Sequence, residues 1–458
     1  MMPGGGSTMP VHPIENRYGS REMRSIFEYD NKIRTMARVE AELARVEAEL
    51  GIIPRKAADA ISKAAEMVTA DLVKEEERKT KHETMALVRA LSKLAGEYGE
   101  YVHYGATSND ILDTTMAIQL KEASRIIISR MMELTEAIIK RGRESLNLVS
   151  LGRTHGMAAI PMPFGFKFAL WASIMRRNME RYEIACKRAA KGKFSGAIGT
   201  MASLGSIGME VQRKLMERLG LEHEEITTQI VPRDELCELL LTMALISSTL
   251  EMMANEIRNL HRSEIAEVTE PFEEEQVGSS TMPHKVNPIN SEKVCGLARV
   301  MRGIALASLE NIVIEHERDL TNSSVERVIV PEAFLLLEEQ LITLNYVVRN
   351  MKLNSDAMRE NIDRTKGFIM SERVMMELSK TLGRQRAHEI IRRISMEAMR
   401  KNMTFKEALL ESDVIKYLAP EKIEELMRPE NYLGAGKEIA RMVFDSVEEF
   451  LRRKRDSI

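Results

Sequence analysis

Residues 112–138 read LDTTMAIQLKEASRIIISRMMELTEAI, and this stretch decides the fold. Its apolar positions Leu112, Met116, Leu120, Ala123, Ile127, Met131, Leu134 and Ile138 follow one another at spacings of 4-4-3-4-4-3-4. Alternating threes and fours mark one face of a helix, and a seam held this long marks helix packing on helix. At 1.5 Å per residue the segment spans about 40 Å. A second seam runs through Leu236, Leu240, Met243, Ser247, Leu250, Ala254 and Ile257. Beside it lies another at Leu239, Met243, Ile246, Met253 and Leu260. A helix with two apolar stripes is covered on more than one side, as in a bundle core or between subunits. A third helix is expected from Pro288 to about Glu315, with Gly296, Ala298, Gly303, Ala305 and Ala307 permitting close approach.

Proline punctuates the rest. None occurs from Arg55 to Ile160, from Phe164 to Val231 or from Glu332 to Ala419. Long proline-free stretches rich in Ala, Leu, Met, Glu, Lys and Arg read as helices. β-branched alternation is scarce, so no strand is expected outside short loop pieces. The reading is an all-α chain in three helical domains: an N-terminal one at 11–108, a central long-helix bundle at 109–355 and a C-terminal one at 356–458. Residues 1–10 read as a disordered tail without the basic start and apolar stretch of a signal peptide.

Composition narrows the function. Apolar residues make up 44% of the 458, enough for a large core. The 66 basic and 69 acidic residues are mixed, for a net charge of −3, which argues against nucleic acid as the main partner. No run of about 18 apolar residues marks a membrane span. The three cysteines, Cys186, Cys237 and Cys295, lack metal-ligand spacing and read as reduced thiols in a cytoplasmic protein. The nine histidines lack ligand spacing too, so neither metal nor cofactor is expected.

The most informative short stretch is Gly278-Ser279-Ser280-Thr281-Met282-Pro283-His284-Lys285-Val286-Asn287-Pro288. It reads as a mobile loop running into a helix, with Asn287 as N-cap and Pro288 in the first turn. Lys285 and the helix N-terminus together favour an anion there. Gly105-Ala106-Thr107-Ser108-Asn109-Asp110 places hydroxyls just before the helix of the first seam, where a carboxylate fits. Gly152-Arg153-Thr154-His155-Gly156, followed by Pro161 and Pro163, places a histidine in a short polar turn.

These three blocks resemble the signatures of the fumarase/aspartase superfamily, whose loop pattern is G-S-S-x-M-P-x-K-x-N, and the resemblance extends over nearly the whole chain. It implies three helical domains, a central bundle that assembles into a twenty-helix tetramer core, and active sites shared between subunits. Further blocks resemble the adenylosuccinate lyase family in particular. Arg17-Tyr18-Gly19-Ser20 with Met23 is similar to its phosphate-contacting R-Y-x-S-x-x-M. Glu317-Arg318-Asp319-Leu320-Thr321-Asn322-Ser323-Ser324-Val325-Glu326-Arg327 is similar to its E-R-D-x-x-x-S-S-x-E-R, which serves the nucleotide through Arg318, Ser323 and Arg327. Gln229 matches a substrate-binding glutamine. His82 matches the histidine of a His-Asp-Val block, while Glu83 and Thr84 depart from it.

The family's reaction removes a proton beside a carboxylate and expels nitrogen, releasing fumarate. The implied substrates are adenylosuccinate, giving AMP, and succinylaminoimidazole-carboxamide ribotide, giving aminoimidazole-carboxamide ribotide. The implied roles are Ser279 as base and His155 as acid, with Glu292 bonded to the histidine. Lys285 and Asn287 face the aci-carboxylate, Thr107 and Ser108 the succinyl carboxylates. Ser280 and Val286 are further substrate contacts.

Overall fold

The computed structural model describes residues 12, 14, 17–272, 281–282 and 284–456. Seventeen α-helices dominate among them. We label those that matter for function α1 (Tyr29–Glu49), α2 (Glu83–Ala95), α3 (Ser108–Glu144), α4 (Gly165–Ala189), α5 (Asp234–Leu260), α6 (Ile289–Glu310), α7 (Thr321–Asn350) and α8 (Ser355–Asp363). The seam of α3 is buried from Leu120 to Ile138; its first two members, Leu112 and Met116, instead line a cavity. Both stripes of α5 are buried. That helix is long and apolar enough by composition to cross a membrane. Burial of both stripes within the chain marks it as a core helix.

The chain divides into two compact units. One takes Met1–Arg130, Asn178–Ser248 and Gly296–Leu341; the other takes Met131–Arg177, Thr249–Cys295 and Ile342–Ile458. The division cuts α3, α4, α5, α6 and α7 rather than falling between helices. In the first unit, α1, α2 and their neighbours bury an apolar cluster that includes Ile33, Met36, Leu43, Leu87 and Ile111. In the second, a C-terminal cluster forms around Val374, Leu378, Phe405 and Ile423. The Phe405 ring lies 5.6 Å from that of Phe368.

Two expectations need correcting. A genuine hairpin exists: β1 (Val149–Thr154) pairs antiparallel with β2 (Met157–Pro163). Pro161 and Pro163 hid it, because proline within a run demotes a strand, yet both are tolerated in a two-stranded edge. The helix α6 ends at Glu310, not near Glu315. Among the described residues no atom outside the helix backbone comes within 4 Å of a Cβ placed on Gly296 or Gly303, so these two glycines permit no close approach there, whereas Ala298 and Ala305 are buried.

Candidate active site

In the first unit the site forms around Arg318. One arm of its guanidinium donates to Gln229 Oε1 at 2.6 Å, and Gln229 Nε2 in turn donates to the Ala197 carbonyl at 2.9 Å. The Arg318 Nε is buried and meets no acceptor among the described residues. Burial pushes this guanidinium below its ordinary value; Asp113 opposes the shift and Arg233 adds to it. A cation left short of partners in a desolvated place is stabilised by an incoming anion. Arg233 is differently placed. It is almost fully buried and forks onto Asp113 at 2.9 Å and Glu326 at 2.7 Å. Burial alone would lower it, but the two carboxylates outweigh that and hold it above its ordinary value.

Arg318 borders two recesses. The first, of about 190 Å³, is also lined by Lys32, Glu83, Ser323 and Arg327. Glu83 is bound through both oxygens to Lys32 Nζ, at 2.7 and 2.8 Å, so its charge is met within the chain. Pro331 also lines this recess, and as it has no N–H it cannot bond the Arg327 carbonyl one turn back. The second recess, of about 490 Å³, is lined by His82, Gln229, Arg318 and Asp319. His82 caps α2, its Nδ1 accepting from the Met85 amide at 3.3 Å, while its Nε2 lies 3.5 Å from Ser108 Oγ. Thr107 and Ser108 stand at the start of α3. Asp110 fixes that turn, accepting from the Thr107 amide at 2.8 Å and pairing with wholly buried Lys193 at 2.5 Å.

Arg17 and Tyr18 occupy the turn ahead of the short helix Arg21–Phe27, outside the lining of both recesses. The next two amides anchor that turn: Gly19 donates to Glu339 at 3.2 Å and Ser20 to buried Glu338 at 2.8 Å. Thr84 is fully buried, and its hydroxyl has no partner among the described residues. It faces the core rather than either recess.

The second unit holds the remaining residues. His155 and Gly156 form the two-residue turn between β1 and β2, with φ of +55° and +74°. Two positive φ values give the turn whose twist matches a hairpin, and His155 is exposed at its tip. Lys285, Val286 and Asn287 lead into α6, and Glu292 lies in its first turn, exposed. Ser279 and Ser280 lie outside the described residues.

The anion at the start of α6 comes from the chain itself. Buried Glu270 accepts from the amides of Asn290 at 3.1 Å and Ser291 at 2.6 Å. The Glu270 amide donates to His261 Nδ1 at 3.1 Å, which leaves His261 Nε2 to donate to the Val286 carbonyl at 3.0 Å. The backbone around Lys285 is thus tied from both sides. Lys32, Arg233, Glu270 and His261 escaped the sequence reading because their partners lie far along the chain, where local spacing carries no signal.

A family model described as Lyase matches residues 12–303. Among solved structures, a fumarate lyase from Mesorhizobium sp. BNC1 superposes with a TM-score of 0.88 at 32% identity, covering 95% of this chain and 100% of that one. A 3-carboxy-cis,cis-muconate lactonizing enzyme from Pseudomonas putida gives 0.87 at 29%, covering 94% and 98%. Fold and site together place the protein in the class of all-helical lyases, the fumarase/aspartase superfamily. A second model, Adenylosuccinate lyase C-terminus, matches residues 367–443. Adenylosuccinate lyases of Pyrococcus horikoshii and Bacillus subtilis are 48% and 38% identical, covering 97% and 89% of this chain and 100% and 94% of their own lengths. The chain belongs to the adenylosuccinate lyase family.

Proposed function

We propose that this chain is a C–N lyase that releases fumarate from adenylosuccinate to give AMP, and from succinylaminoimidazole-carboxamide ribotide to give aminoimidazole-carboxamide ribotide. The observation that carries the reading is Arg318, desolvated, with a buried Nε that has no partner among the described residues, beside Ser323 and Arg327. Such a group suits a phosphate or carboxylate. With Arg17 and Tyr18 it anchors the nucleotide, while Gln229, Ser280 and Val286 add further substrate contacts. Thr107, Ser108 and His82 take the succinyl end.

The chemistry follows. Ser279 removes a proton from the carbon beside the outer carboxylate. The electron pair spreads into that carboxylate as a dianion, which Lys285 and Asn287 stabilise. The pair then collapses to the fumarate double bond as the C–N bond breaks, and His155 protonates the departing nitrogen. Glu292, by its likeness to the family's glutamate, is the partner we assign to the His155 imidazole, orienting it towards that nitrogen. A serine acts as base only where water is excluded and a cation is near. We place the enzyme in the cytoplasm as a homotetramer with a twenty-helix core, its three-domain chains sharing their active sites. Exposed Leu241, Leu245, Val300, Leu306 and Leu309 on α5 and α6 support this.

An ultraviolet assay offering adenylosuccinate, argininosuccinate, fumarate, aspartate and carboxymuconate in parallel tests the reading. Turnover of adenylosuccinate is expected, and turnover of carboxymuconate alone would move the chain to the cycloisomerases. Ser279→Ala is expected to bind substrate and lose most turnover; near-normal turnover removes Ser279 from the base role. Arg318→Met is expected to raise KM about 10-fold or more, the loss of a charge-assisted contact.

A further inference from the structure

We infer that Arg153 and Glu267 are positioning residues for His155, gripping the hairpin two residues before its turn. This rests on the reading of His155 as the general acid. A two-stranded hairpin is marginal by itself and takes its position from what it is tied to. Here the tie is a buried ion pair. Arg153 Nη2 and Nη1 reach the two oxygens of Glu267 at 2.6 and 3.2 Å. The Glu267 side chain is fully buried, and that of Arg153 is 20% exposed.

Glu267 is itself immobilised. Asn361 Nδ2 donates to Glu267 Oε1 at 2.8 Å and to the Ile265 carbonyl at 2.8 Å. The Glu267 carbonyl accepts from the Asn354 amide at 3.0 Å, and its own amide donates to Leu260 at 3.0 Å. Asn354 caps α8, the helix that carries Asn361. A carboxylate held by side chain and backbone on one helix is a rigid post.

The lever from post to imidazole is short. The Arg153 guanidinium also donates to the Leu151 carbonyl at 3.3 Å, bridging the register break between Leu151 and Arg153. Beyond Arg153 the chain has only Thr154 before the turn, and both turn residues are confined to positive φ. Fixing Arg153 therefore fixes the backbone of His155. Displacement of an acid by about 1 Å costs up to about 100-fold in rate.

Full-length Arg153→Met, Arg153→Lys and Glu267→Gln test this, with kcat, KM and Tm read for each and His155→Ala alongside. Arg153→Met and Glu267→Gln are expected to lower kcat by about 10- to 100-fold, with KM within about threefold, well below their Tm. Arg153→Lys keeps the charge but not the fork, and is expected to recover part of the loss. Should Glu267→Gln fail to fold, the two Arg153 variants decide. Wild-type kcat in Arg153→Met, or a Lys variant no better than the Met one, overturns the inference. An active His155→Ala would instead sink the acid assignment. An inactive His155→Ala beside a fully active Arg153→Met would sink the gripping role alone.

Discussion

At the scale of single residues, Glu47 on α1 is a buried carboxyl. Both its oxygens are buried without a partner among the described residues. Burial, and then the neighbouring Glu40, push its carboxyl up to about 9. The native state therefore holds a proton that the unfolded chain releases near the ordinary carboxylate value. The stability from that proton is complete below the unfolded value and is lost as pH rises towards about 9. Glu47→Gln, neutral at every pH and of the same shape, is expected to raise Tm by a few degrees near pH 8 and hardly at all near pH 5. Equal shifts in thermal melts at the two pH values would count against this account. Gly19 is a different kind of residue. Its φ is +75°, and a Cβ there would collide with Leu335 Cδ2. Gly19→Ala should displace the Arg17–Tyr18 turn and raise KM more than it lowers kcat, as steady-state kinetics would register.

At the scale of elements, the start of α6 depends on Glu270. Gln at 270 offers one acceptor oxygen where the carboxylate serves two amides. Glu270→Gln is expected to cost about 1–3 kcal/mol in denaturant unfolding and to lower kcat, because Lys285 leaves the helix start it guards. An unchanged unfolding midpoint would contradict the capping role. Gly152 limits the hairpin in another way: a Cβ there would lie 2.8 Å from the Ile160 carbonyl. The helices were legible in the amino-acid string because a period of 3.6 repeats over many turns, as from Leu112 to Ile138. The β1–β2 hairpin was not, since its glycine and prolines erase alternation. His155, Lys285 and Arg318 were legible as motif members. Glu267, Glu270 and Arg233 were not, since a buried ion pair is defined by partners that only folding brings together.

For the whole molecule, site sharing and assembly stand or fall together. Co-refolding inactive His155→Ala with inactive Ser279→Ala is expected to restore a fraction of activity, because some mixed sites receive both intact groups. No recovery in mixed assemblies would separate the chains again. Leu306, 61% exposed on α6, offers a second probe. Leu306→Glu is expected to reduce the assembled mass by sedimentation while leaving the helical circular dichroism nearly intact.

The way the two units divide the chain has a consequence for synthesis. The first unit takes its last segment from residues 296–341 of 458, so about three quarters of the polypeptide must leave the ribosome before that unit can close. Until then the nascent chain carries α3 and α5 with their oily sides uncovered, the situation in which chaperones are recruited. A stop codon in α5 or α6 would keep the apolar cluster around Ile33, Leu87 and Ile111 but remove residues 311–341, the C-terminal end of the first unit.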